Sequence, residues 1–205
     1  TLSAANFPVA TVASKYESEN ASHASIYDRD GNCVGFTNTI NFYFGSGVTH
    51  PTYGILYNNG LFNFSQDSLN INAVEPEKRS VSSTAPTIVF RNDKPVLVLG
   101  ASGGPRLIST LANIIIGVMD FNMSIDEAID APRFYYEDGE IQMETRIESV
   151  AIEYLKQLGH EVNLKTDYNG YFGIAQGIRI DHVNDQFEGA ADPRGEGKDY
   201  TNNLN

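Results

Sequence analysis

The reading of the fold turns on Pro86-Thr-Ile-Val-Phe-Arg-Asn-Asp-Lys-Pro-Val-Leu-Val-Leu-Gly100-Ala-Ser-Gly-Gly104-Pro-Arg106. Residues 86–90 and 95–99 form two almost wholly apolar arms around Asn92-Asp93. A turn of that kind closes a β-hairpin, because Asn and Asp tolerate positive φ. Strands without polar alternation are expected to be covered on both faces. The glycines then give way to an apolar helical run over 107–120, with Pro105 in its first turn. A buried hairpin feeding a helix through a glycine corner predicts a mixed α+β class.

The flanks repeat the theme. Residues 24–27 and 33–37 read as strands around Asp30-Gly31-Asn32, which places a first hairpin at about 22–38. Residues 41–80 are rich in Gly, Asn, Ser and Pro and read as a long loop with short elements. Ser124-x-x-Glu127 is a capping box for a short helix that ends before Pro132. Ile147, Val150, Ala151, Tyr154, Leu155 and Leu158 make an apolar stripe at helical spacing, stopped by Gly159. Residues 174–180 and 187–190 read as closing strands, and 1–20 as an irregular lead-in.

Composition narrows the function. The 205 residues carry 14 Lys and Arg against 26 Asp and Glu, a net charge of −12. A nucleic-acid binder needs a basic footprint, so that class is set aside. With 41% apolar residues the chain can bury a core. The lone Cys33 and the scattered His23, His50, His160 and His182 offer no metal-ligand spacing, and no cofactor is expected. The longest apolar run, 111–119, is broken by Asn113 and Gly117, so no membrane-spanning segment is read. Residues 1–20 lack the basic and apolar regions of a signal peptide.

Three clusters offer chemistry. Gly100-Ala-Ser-Gly103-Gly104 suits converging backbone N–H groups at a helix start, which stabilise an oxyanion or a carboxylate. A tight strand-to-helix turn explains the same glycines equally well. Neither a P-loop nor a dinucleotide fingerprint is present. Ser82-Ser83 follows Lys78-Arg79, a pattern that an exposed loop or helix cap explains more simply. Asn38, Asn41, Asn58, Asn59 and Asn63 crowd one region, where turn chemistry accounts for them.

Taken in order, these residues resemble the γ-glutamyltranspeptidase family. The carriers are Ser22-His23-Ala-Ser-Ile-Tyr-Asp28-x-Asp-Gly-Asn32, Thr37-Asn-Thr39-Ile-Asn41-x-x-Phe-Gly45-x-Gly47 and Gly54-Ile-Leu-Tyr-Asn58-Asn59. The series continues with Pro76-x-Lys78-Arg79-x-x-Ser82-Ser83-x-x-Pro86-Thr87-Ile88-Val89 and Gly100-x-x-Gly103-Gly104. It closes with Glu127-Ala-x-x-Ala131-Pro132-Arg133 and Gly189-x-x-Asp192-Pro193-Arg194. The resemblance implies the small-subunit half of an N-terminal-nucleophile hydrolase, an αββα sandwich. It implies a precursor that cuts itself into a large and a small subunit. The exposed N-terminal Thr is then the nucleophile, with its own α-amine as base. It takes the acyl group of a γ-glutamyl amide and passes it to water or to an acceptor amine.

Carried over residue by residue, the resemblance places Ala21 at the nucleophile position, where alanine has no hydroxyl to offer. Thr39 matches the threonine that hydrogen-bonds the nucleophile, Asn41 a pocket asparagine, and Ser82 and Ser83 the hydroxyls that hold the donor's α-carboxylate. Gly103 and Gly104 match the oxyanion backbone. Asn63 falls where transpeptidases keep an aspartate for the donor's α-ammonium. On this view residues 1–20 are the tail of the large subunit and 21–205 the small-subunit domain. The implied partners are that large subunit and a small γ-glutamyl or other acyl-amide ligand, with a homo-oligomer left open. The implied compartment is the periplasm or outside the cell, with the cytoplasm left open. Two alternatives stand beside this reading: a ligand-binding pseudoenzyme, and an amidase of other acyl specificity that uses Thr1 or Ser22.

Overall fold

The computed structural model describes residues 21–200, and the expectations for residues 1–20, Thr1 among them, lie outside that span. The chain runs β1 (Ala21–Tyr27), β2 (Cys33–Thr39), β3 (Thr87–Arg91), β4 (Lys94–Ser102), α1 (Arg106–Met119) and α2 (Ile125–Asp130). It continues with β5 (Phe134–Glu137), β6 (Glu140–Glu144), α3 (Ser149–Gln157), β7 (Glu161–Lys165), β8 (Ile174–Asp181) and β9 (Gln186–Ala191). The main sheet has the order β3-β4-β8-β9, all antiparallel. The β1-β2 hairpin lies across β4 and β8, and α1 and α2 pack on the main sheet.

β4 builds two layers at once because successive side chains leave a strand on opposite faces. Leu97, Leu99 and Ala101 join Leu107, Leu111, Ile114, Val118, Ile125 and Ile129 in the core beneath the helices. Val98 and Gly100 face the β1-β2 hairpin instead, where Val98 approaches Gly35 and Gly100 lies under the His23 ring. The product is a helix layer, a full sheet and two strands of a second sheet, in the order expected of half an αββα sandwich. The outer face of those two strands is apolar yet open, with Ile26, Val34 and Phe36 each about half exposed.

Local chemistry sets the corners. Asn92 and Asp93 close the β3-β4 hairpin with φ of 51° and 61°, the left-handed pair that a two-residue turn requires. Ser124 and Glu127 form the expected capping box on α2. The segment 41–80 is mostly irregular, with a 3-10 turn at Gly60–Asn63.

Two expectations need correction, and one sheet was not anticipated. β3 is an edge strand, with β4 paired to β8 on its other side; Val89 still packs on the core, but Phe90, past a bulge between the two residues, is exposed. The helix read from 147–158 is present as α3, but its stripe is not a core face. Val150, Tyr154 and Leu158 are exposed and Ile152 is the buried residue, because α3 packs on β7 rather than on the main sheet. The sheet β5-β6-β7 is a further element not read from the sequence. Its strands carry charges at their ends and lack clean alternation, although Asp138-Gly139 at their turn was a usable hairpin signal.

Two interior features hold these layers in place. His23 sits between the sheets with Nδ1 2.7 Å from Thr37 Oγ1 and Nε2 2.9 Å from Ser25 Oγ. Ser25 donates to the Val98 and Gln176 carbonyls, so Nε2 carries the hydrogen and Nδ1 accepts from Thr37. Burial lowers the pKa of this ring from 6.5 to about 4. A Cβ on Gly100 would stand 2.2 Å from the same ring, which explains the glycine there.

The second feature is a set of buried charges. Arg133 Nη2 donates to Asp192 at 2.6 Å, and Arg194 donates to Glu144 through Nε at 2.6 Å and Nη2 at 2.7 Å. Arg194 Nη1 also reaches Asp192 at 3.1 Å. Burial pulls the Arg133 pKa down to about 10 while Asp192 opposes it, so the guanidinium stays charged at neutral pH. In Arg194 burial acts in the same direction, but the bonds to Glu144 and Asp192 outweigh it and raise the pKa.

These features give two expected outcomes. Between pH 6.5 and about 4 the unfolded chain takes a proton on His23 that the folded chain resists. The contribution is therefore complete above pH 6.5 and falls as the pH drops toward 4. Urea midpoints measured across that window should fall more steeply for the parent than for His23→Gln. An equal slope in both would remove His23 from the account. Separately, Asp192→Ala leaves two buried guanidiniums short of a partner and should cost about 3–5 kcal/mol in urea unfolding. Lys156→Ala, which breaks an exposed pair with Glu153, should cost less than about 1 kcal/mol.

Candidate active site

Strand register brings the first residues of the site together. Ala21 pairs with Thr39 across β1-β2, and Thr39 Oγ1 accepts the Asn41 backbone N–H at 2.9 Å. That bond holds Asn41 in a left-handed conformation with φ 76°, buried, its Nδ2 directed at the Asn59 carbonyl. Ala21 lies two residues from His23, so both leave β1 on the face toward the main sheet. Ser22 is exposed on the opposite face.

The glycine loop meets them from below. Gly103 and Gly104 follow β4 with φ of 136° and 63° and are buried. A Cβ on Gly103 would lie 2.5 Å from the Gly173 Cα, so two backbones touch here without side chains between them. Gly173 is held by a row of donors to three successive carbonyls. Arg106 Nε donates to Tyr171 O at 2.6 Å, Thr110 Oγ1 to Phe172 O at 2.6 Å, and Arg133 Nη1 to Gly173 O at 2.7 Å. The buried charges therefore reach the loop through one peptide.

Ala21, Thr39, Asn41, Ser83, Gly103 and Gly104 line one shallow depression, together with Thr84 and Leu107. The N-terminal turn of α1 opens onto it, with no acidic residue in that turn to offset the helix's positive end. Hydroxyls, an amide and backbone N–H groups around a helix start can cradle a carboxylate or a developing oxyanion. Ser82 and Asn63 stand outside this lining. Ser82 is exposed and its Oγ accepts the Thr84 N–H at 3.1 Å. Asn63 ends the 3-10 turn, where its carbonyl accepts from Asn72 and its buried Oδ1 has no hydrogen-bond partner. Among the described residues no group of three or more His, Cys, Asp or Glu is placed to hold a metal, and no helix is long and apolar enough to cross a membrane.

Sequence reasoning did not assign Thr84, Leu107, Arg106, Thr110 or the charged quartet. Arg133, Asp192 and Arg194 were visible as matched motif residues without a role. The partners that give them one are far apart in sequence, as Glu144 is from Arg194.

The family model of gamma-glutamyltranspeptidase matches residues 3–201. A glutathione hydrolase proenzyme of Bacillus subtilis is 36% identical over 178 residues, which cover 83% of this chain and 29% of that protein. The chain thus spans less than a third of the length of this relative. A mutant form of Helicobacter pylori gamma-glutamyltranspeptidase superposes with a TM-score of 0.75 at 34% identity, over 84% of this chain and 99% of that one. A cephalosporin acylase from Bacillus halodurans superposes with a TM-score of 0.78 at 29% identity, over 86% of this chain and 33% of that one. With the fold, the ordered motifs and these matches in agreement, the chain belongs to the γ-glutamyltranspeptidase family.

Proposed function

We propose that this chain carries the nucleophile half of an acyl-transfer site for γ-glutamyl amides, in a form that cannot cut itself. The observation that carries the reading is the convergence of position 21, Thr39 and the Gly103-Gly104 backbone on one depression at the start of α1. With a threonine at 21, its hydroxyl attacks the γ-carbonyl while the free α-amine takes the proton. The developing oxyanion rests against the glycine N–H groups and the helix start. The departing amine takes the proton back. Water or a second amine then attacks the ester and regenerates the hydroxyl. Ser82 and Ser83 are assigned to the donor's α-carboxylate, and Thr39 and Asn41 to orienting the nucleophile and the pocket.

Ala21 removes the attacking atom and leaves the rest. On this reading residues 1–20 are the tail of a large subunit, residues 21–205 are the small-subunit domain, and the bond between Asn20 and Ala21 stays intact. The large subunit is the proposed partner, and the open apolar face of Ile26, Val34 and Phe36 supports one. That face has no second helix layer over it among the described residues.

A second reading concerns the acyl group. Asn63 offers a neutral, unpartnered amide oxygen where the resemblance calls for a carboxylate. An amide binds a donor ammonium less well than a carboxylate does. The structural match to a cephalosporin acylase supports an acyl group other than γ-glutamyl.

The test is Ala21→Thr in the whole precursor. Two subunits should appear on a gel, with a new N-terminus at residue 21, and a γ-glutamyl anilide should then be hydrolysed. Adding Asn63→Asp should lower KM for that anilide by about tenfold, the loss expected when one charged contact is missing. If Ala21→Thr folds but stays uncut, the depression is a binding site and the pseudoenzyme reading replaces this one.

A further inference from the structure

A larger cleft than this depression lies away from it, at the opposite end of β4. It has a volume of about 370 Å³, within the range of small-molecule sites. β4 enters it at Lys94 and reaches the glycine loop at Ser102, about 26 Å further along the strand. Its floor is apolar, with Val96, Val118, Met119 and Ile180, the exposed Val183 lies at its edge, and its rim carries Arg91, Lys94 and Arg179.

That clustering runs against the charge of the chain, which is −12 overall. Arg91 and Lys94 sit on either side of the Asn92-Asp93 turn and have no ion pair among the described residues. Arg179 donates to Asn122 Oδ1 at 3.0 Å and lies 3.9 Å from Glu188, so one face of its guanidinium is engaged. The carboxylate in the lining is Asp181, and its oxygens already accept the Val183 and Asn184 backbone N–H groups and the Asn184 amide. His182 donates Nε2–H to the Pro95 carbonyl at 2.7 Å. A neutral ligand would leave two cations unpaired at the rim. A bare inorganic ion would leave the apolar floor uncovered.

We propose that this cleft binds a small organic anion, its carboxylate or phosphate oxygens at Arg91, Lys94 and Arg179 and its apolar body on Val118, Met119 and Val183. The site is independent of the acyl-transfer reading.

The probes are phenyl phosphate, inorganic phosphate and benzyl alcohol, titrated into the whole precursor by calorimetry at low salt. Phenyl phosphate should bind with one-to-one stoichiometry and about tenfold more tightly than inorganic phosphate. Benzyl alcohol should not saturate. Arg91→Glu with Lys94→Glu should weaken phenyl phosphate at least tenfold, with the melting temperature unchanged because both side chains are exposed. Methyl shifts on phenyl phosphate binding should fall on Met119 and Val183. Equal affinity for the two phosphates overturns the proposal in favour of an adventitious ion only. Absent binding, binding indifferent to the charge reversal, or shifts confined to Leu107 at the candidate active site overturn it as well.

Discussion

Arg133, Glu144, Asp192 and Arg194 are all buried, a state that costs several kcal/mol per charge unless each finds partners. Each does, and the partners join separate parts of the chain. Arg133 follows α2, Glu144 ends β6, and Asp192 and Arg194 follow β9. The Asp192 carboxylate also accepts the Ala175 N–H at the start of β8. One charge-assisted set therefore ties the small sheet, the helix layer and the main sheet at one place. Because Arg133 also binds the Gly173 carbonyl, the same set decides where the Gly103 backbone lies.

The second sheet is placed by a closer contact. The His23 ring lies on Gly100, where any side chain would collide with it, and its two nitrogens are spent on Thr37 and Ser25. A neutral imidazole with both nitrogens bonded is an economical spacer between two sheets, since it leaves no polar atom unsatisfied. The consequence is positional. Residue 21 shares the inward face of β1 with His23, so the contact that sets the sheet spacing also points position 21 at the glycine loop.

β4 thus works as a rigid bar between two different chemistries. At its C-terminal end are tight backbone turns, hydroxyls and a helix start, suited to a carbonyl that gains negative charge. At its N-terminal end is an amphipathic cleft with a basic rim. The outward faces of β1 and β2 and the 41–80 segment expose many large apolar side chains, among them Phe36, Tyr53 and Leu69. Those surfaces fit a chain that spans less than a third of its Bacillus relative.

Much of this was legible in the residues themselves. The β3-β4 hairpin, the glycine corner, α1 and the α2 capping box follow from local rules, because turn φ values, helix capping and apolar periodicity act over a few residues. The ordered motifs likewise named position 21, Thr39, Asn41, Ser83, Gly103 and Gly104, which the fold brings to one depression, and Ser82 and Asn63, which it leaves outside that lining; the alanine at 21 was visible at once. The sheet β5-β6-β7 was not legible, because its strands are short and one of its two pairings, β6 with β7, is parallel and closed by a crossover helix. Nor was the exposed face of α3, since periodicity shows that a stripe exists and not what meets it. The roles of Arg133, Glu144, Asp192 and Arg194, and the cleft at the far end of β4, depend on side chains separated by up to some tens of residues in the chain. A local pattern records which groups are charged. Which of them leave water, and with whom, is decided when the tertiary structure brings them together.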